Sequence, residues 1–152
     1  MKIIHSDNAP AALGPYSQAY EANGFVFTAG ELGIDPQTGK LPEGIAAQAE
    51  QACKNIEDIL EASGLSMMNV IKTTCFLADM ADFKVFNEIY GKHFVSKPAR
   101  SCFAAKTLPG GGYVSPFQTD SCSRNTSAES YRRCTHCSFC PKLSGFTVCS
   151  CK

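Results

Sequence analysis

Cys134, Cys137 and Cys140 recur at every third position, with His136 between them, Pro141 directly after and Cys149-x-Cys151 further on. Thiolates and an imidazole at such spacing are ligand types suited to zinc or an iron–sulfur cluster. Two features argue against a built site. A second knuckle at the usual distance is absent, and the surrounding residues offer no apolar shell to close it. No resident metal is expected. A disulfide-rich secreted module is supported even less, because Met1 to His5 carries one lysine and leads into no apolar stretch of a secretory type.

The cysteines also divide the chain. Of the nine, six fall between Cys122 and Cys151, whereas Cys53, Cys75 and Cys102 are spread through the body among apolar neighbours and read as buried thiols of a cytosolic protein. Charge divides it at the same place. Residues 1–109 hold 12 acidic against 9 basic side chains and residues 110–152 hold 2 against 5. An acidic body without a Lys/Arg cluster argues against a nucleic-acid surface. No run approaches the roughly 18 apolar residues of a membrane span, so no membrane partner is expected.

The body must supply the elements that position any site. Phe25–Thr28 is a short β-prone run closed by Gly30 and followed by turns at Asp35-Pro36 and Thr38-Gly39. From Ile45 to Ala62 the residues Ala49, Ala52, Cys53, Ile56, Ile59 and Leu60 keep the spacing of one helix face, and Gly64 provides a left-handed stop. Val70–Leu77 is a β-branched and aromatic strand. A second helix carries Phe83, Phe86, Ile89, Tyr90 and Phe94 in one stripe, with Asp79 or Asp82 as N-cap. Pro98 breaks that pattern, and Arg100–Ala105 reads as a further strand.

This order predicts an α+β fold in which two helices cover one sheet face. Alternation in Phe25/Phe27, Cys75/Leu77 and Cys102/Ala104 leaves more apolar β surface than two helices cover, so self-association is expected. Beyond Pro109, Gly110-Gly111-Gly112 opens a Cys- and Ser-rich stretch without sustained periodicity. Residues 1–109 are therefore read as one domain and residues 110–152 as an atypical tail, unstructured or frame-shifted. A slip in the reading frame at the glycine run, whose codons are G-rich, is one economical origin for it.

Four fragments in order, Gly14-Pro15-Tyr16-Ser17-Gln18-Ala19, Thr28-Ala29-Gly30 with Asp35-Pro36-x-Thr38-Gly39, Lys72-Thr73-Thr74, and Pro98-Ala99-Arg100-Ser101-Cys102, resemble the RidA (YjgF-type) reactive-intermediate deaminase family across residues 3–109. The resemblance implies a chorismate-mutase-like α+β fold and a cytoplasmic homotrimer. It also implies hydrolysis of 2-imino acids or their enamine tautomers to 2-oxo acids and ammonia, in clefts between subunits and without cofactor or metal.

By the same resemblance Arg100 holds the substrate carboxylate, for which a guanidinium offers two parallel hydrogen bonds that lysine does not. Tyr16 is the cleft tyrosine that orients the imine nitrogen or the attacking water. Cys102 lines the cleft through its backbone, as a small buried side chain rather than a reactive thiol. Asn87 matches a polar position near the cleft, although an exposed helical asparagine explains it equally well. Gly30 permits close backbone approach to a ligand.

The sequence also departs from the pattern. Ala29-Gly30-Glu31 stands where the family often has Ser-Gly-Gln, which removes a hydroxyl and adds a carboxylate at a substrate-binding position. The family's C-terminal strand carries a glutamate thought to activate water, and its position falls here at Ser115, followed by Pro116. A proline is unwelcome where a central strand needs an N–H. Both the base and the last strand are therefore expected to be missing, and if hydrolysis persists Glu31 is the first alternative base. The competing reading is a catalytically impaired member that binds small carboxylates or protein partners in the same cleft. Related proteins have also been described as ribonucleases or translation inhibitors, and the missing basic patch argues against that here.

Overall fold

The computed structural model describes the backbone of residues 1–122 and the side chains of residues 1–113; the cysteine-rich stretch read as a tail lies, from residue 123 on, outside the described residues. Its elements are β1 (Lys2–Ile4), β2 (Ala19–Ala22), β3 (Phe25–Thr28), α1 (Ile45–Ala62), β4 (Val70–Leu77), α2 (Phe83–His93), β5 (Ala99–Ala104) and β6 (Val114–Cys122). The strands form one sheet in the order β1-β2-β3-β6-β4-β5, antiparallel except for the β4–β5 pair. The expected α+β class, with both helices on one face, is what the chain adopts.

The apolar stripe of α1 is buried, with Ala49, Ala52, Cys53, Ile56 and Leu60 at 0% exposure. The helix stops as Gly64 turns to φ 79°, while Gly64 N donates to Glu61 O and Leu65 N to Leu60 O at 2.8 and 2.9 Å. This double bond is a Schellman closure, which needs the left-handed residue that glycine supplies without penalty. Before α2, Asp79 is the residue that caps: its carboxylate accepts from Ala81 N at 2.9 Å, whereas the Asp82 side chain makes no capping bond. Phe86, Tyr90 and Phe94 then close over Thr73, Cys75 and Leu77 of β4, so α1, α2 and the sheet share one core.

The expectation of a missing last strand is overturned along residues 114–122. β6 occupies the centre of the sheet between β3 and β4. Pro116 is accommodated because the β4–β6 register slips there: Thr74 faces Gln118 and Phe76 faces Ser115, which places two residues of β6 opposite Cys75. A bulge leaves a residue out of the ladder, and that is where a proline costs least. On its other side β6 meets β3 only at residues 120–122, away from the proline.

The uncovered face is more aromatic than alternation alone suggested. Cys75, Leu77 and Cys102 turn toward the helices. Tyr20, Phe25, Phe27 and Phe103 are 38–46% exposed on the opposite face, with Phe76 edge-on to Phe103 at 4.8 Å between centroids. Among the described residues no helix is long and apolar enough to cross a membrane.

Between β3 and α1 the chain is clamped onto the helix. Asn55, fully buried, donates from Nδ2 to both Leu32 O and Ile34 O at 2.9 Å and accepts from Gln51. Between those two carbonyls, Gly33 lies so close to α1 that a Cβ there would fall 2.2 Å from Gln48 O. Gly33→Ala is therefore expected to destabilise the fold by about 2–3 kcal/mol in a denaturant titration; a loss below about 0.5 kcal/mol would mean that the loop is not held against the helix.

Candidate active site

β5 is an edge strand whose alternate residues Arg100 and Cys102 point toward α2. The Arg100 guanidinium lies over the Tyr90 ring, 4.4 Å from its centroid, and 5.5 Å from that of Phe83. Its Nη2 donates to Asn87 Oδ1 at 2.8 Å. Tyr90 is in turn fixed by a 2.8 Å hydrogen bond between its hydroxyl and Thr73 Oγ1 and by stacking on Phe94. Nη1 of Arg100 is buried and has no hydrogen-bond partner among the described residues. A buried guanidinium edge without an acceptor is costly, and an incoming carboxylate would satisfy it.

Arg100 also lines a cavity of about 440 Å³ together with Asn87, Tyr90, Lys97 and Pro98, among others. Lys97 holds φ 52°, a left-handed conformation unusual for a side-chain-bearing residue and disfavoured by the following proline. Strain of this kind tends to collect around binding sites. Beside Arg100, Cys102 pairs in register with Cys75. Burial pushes both thiols up, that of Cys75 to about 12, and outweighs the opposing influence of Arg100. Both thiols therefore stay protonated near neutrality and are poor nucleophiles.

The remaining site residues gather elsewhere. Tyr16 is half-exposed at the rim of an open cavity of about 650 Å³ that Tyr20, Phe27 and Ala29 also line. Its hydroxyl accepts from Leu13 N at 3.1 Å, which folds residues 13–16 into a tight loop. Under this loop is Gln18, which the sequence analysis passed over except as a letter of the motif. Its amide donates to Ser6 O and Pro10 O and accepts from Ser6 N, tying the loop to the strand before it. Gly30 and Glu31 complete this group around a small cavity that Tyr16 and Gln18 share.

Two half-sites result. Arg100, Asn87 and Cys102 form one at the β5 edge, and Tyr16, Gly30 and Glu31 form the other beside β2 and β3. Four strand spacings separate β2 from β5 in the sheet order, or roughly 19 Å. One chain does not bring Tyr16 and Arg100 to the same small molecule.

Glu31 is only 5% exposed, and burial without a compensating charge raises its carboxyl from the ordinary 4.5 to about 7. The folded protein thus holds this proton more tightly than the unfolded chain does. The resulting stabilisation is full below about pH 4.5 and is lost as pH rises through about 7, a change of about 3 kcal/mol. Thermal unfolding is expected to shift downward between pH 5 and pH 8, and Glu31→Gln should flatten this window; an unaltered slope in the variant would remove Glu31 as its source.

Sequence comparison gives this geometry a family. The model of the endoribonuclease L-PSP family matches residues 6–114. The chain is 51% identical over 110 residues to Reactive Intermediate Deaminase A, chloroplastic, of Arabidopsis thaliana, covering 71% of this chain and 59% of that one. It is 46% identical over 115 residues to the 2-iminobutanoate/2-iminopropanoate deaminase of Mus musculus, covering 74% and 85%. Among solved structures, E. coli TdcF with bound serine superposes with a TM-score of 0.76 at 34% identity, over 80% of this chain and 98% of that one. The chain belongs to the endoribonuclease L-PSP family, that of the RidA/YjgF reactive-intermediate deaminases.

Proposed function

We propose that the protein hydrolyses 2-imino acids and their enamine tautomers to 2-oxo acids and ammonia, in clefts assembled between copies of the chain. The observation that carries this reading is the Arg100 guanidinium, oriented by Asn87 and Tyr90 with one buried edge unmatched among the described residues. A planar carboxylate fits that edge, and the relatives named as deaminases act on molecules that possess one. TdcF holds an amino acid, which carries the same group.

A substrate held there leaves its imine carbon projecting beyond the β5 edge. The second half-site, with Tyr16 and Gly30, reaches it from another copy. The uncovered aromatic face favours such assembly, because leaving Phe25, Phe27 and Phe103 in water is unfavourable. A homotrimer closes three equivalent clefts with three identical interfaces. In each, Tyr16 orients the imine nitrogen or the water while Gly30 lets the ligand approach the backbone, and the steps use side chains and water alone. Cys102 contributes backbone and bulk rather than sulfur chemistry. Among the described residues the free thiols, Cys53 and Cys75 buried and Cys102 partly so, fit a reducing compartment, and we place the protein in the cytosol.

Activity is measured by coupling a threonine dehydratase to 2-oxobutanoate formation, with semicarbazide trapping free imine. Acceleration above the spontaneous rate is expected. Arg100→Ala should lower kcat/KM by about 10²-fold or more and abolish 2-oxobutanoate binding, as loss of a buried charge partner does. Asn87→Ala should cost about tenfold by releasing the guanidinium. Full activity and undiminished carboxylate affinity in Arg100→Ala would overturn the assignment.

A further inference from the structure

The reaction consumes a water, and the resemblance places its usual activating glutamate at Ser115, which lacks a carboxylate. Another carboxylate is built into the second half-site. Glu31 lines a cavity of about 20 Å³ under the 10–16 segment, enough room for one water. Gln18, itself 3% exposed, and Tyr16 line the same cavity. Tyr16 also lines the large open cavity, so both cavities meet at its side chain.

We propose that Glu31 is the proton-transfer residue of this chain, taking a proton from the attacking water beside Tyr16. The proposal rests on the imine-hydrolase reading above. Acting on the protonated imine, the carboxylate removes one proton from water as the oxygen bonds to the imine carbon and the C=N electron pair passes to nitrogen, giving the carbinolamine. Returned to that nitrogen, the proton makes the amine a leaving group. The C–N bond then breaks as C=O forms, the hydroxyl proton departs to solvent, and ammonia and the 2-oxo acid are released with the carboxylate regenerated.

The burial that isolates Glu31 also suits it to this work. A group that titrates at about 7 is half ionised at neutral pH, where a base is both available and strong enough. Among the described residues Tyr16 is the only other titratable one lining its cavity, and no charged group of α1 or of the 10–16 segment is among the causes of its shift. Asn55 holds Leu32 and Ile34 on α1, which fixes the backbone directly after Glu31.

The test is the pH profile of kcat/KM for the full chain and Glu31→Gln, with 2-oxobutanoate affinity and thermal unfolding at pH 5 as parallel readouts. The unaltered protein should gain activity as pH rises through about 7. Glu31→Gln should lose about 10²–10⁴-fold in kcat/KM together with that limb of the profile, while affinity and unfolding at pH 5 stay unchanged. Retention of activity and limb in Glu31→Gln overturns the role of Glu31 and leaves the hydrolase reading standing. Equal losses of affinity and turnover reduce Glu31 to a structural residue and overturn the proposal likewise. No hydrolysis by the unaltered chain removes both readings together.

Discussion

A sheet of six strands with helices on only one side has to hide its other side. In this chain that constraint reaches every level. α1 and α2 cover Val26, Thr73, Cys75 and Leu77, and what remains outside is a row of aromatic rings, Tyr20, Phe25, Phe27 and Phe103, that no element among the described residues overlies. In the assembly proposed above, self-association removes that surface from water and joins a β5 edge to a second half-site that the sheet order holds roughly 19 Å away within one copy.

The two half-sites handle buried charge in opposite ways. Arg100 remains a cation, since a guanidinium does not give up its proton, and its field is softened by the Tyr90 ring and by Asn87. Nη1, unsatisfied among the described residues, is a standing demand for an anion. Glu31 has no such companion among the described residues and answers burial by holding its proton to about pH 7. One half-site is thereby fixed in charge and suited to binding, while the other changes charge near neutrality and is suited to moving protons.

Much of the fold was legible because periodicity reports burial. The α1 stripe ending at Gly64, the β4 run and the α2 stripe all appear where apolar spacing placed them. The error fell at β6, where Pro116 and a serine-rich composition outweighed the need of a central strand position for a partner. A bulge absorbs the proline, and bulges leave no periodic trace in a single sequence. The Cys75/Leu77 alternation, counted toward surplus apolar surface, instead faces the helices, since β4 is partly covered on both sides and alternation says little there.

Of the site, residue types were readable but their partners were not. The bond from Arg100 to Asn87 joins β5 to α2 across 13 residues, and nothing in the spacing distinguishes it from an exposed helical asparagine. Gln18 and Asn55 act through backbone carbonyls of distant loops, which carry no side-chain signature. Tyr90, read only as core, proves to be the surface on which Arg100 lies. The burial of Glu31 depends on how the 10–16 segment folds over it, a tertiary matter throughout.

The central claim is that two copies share each hydrolytic cleft, and subunit mixing tests it most directly. Arg100→Ala and Tyr16→Ala chains, each impaired alone, are combined under conditions that allow exchange, and imine hydrolysis is followed. A cleft between an Arg100→Ala copy and a Tyr16→Ala copy can carry both intact half-sites, so the mixture is expected to recover about a quarter of the activity of the unaltered protein, the share set by random assembly of a closed trimer. A mixture no more active than the average of its two parents would contradict the shared cleft.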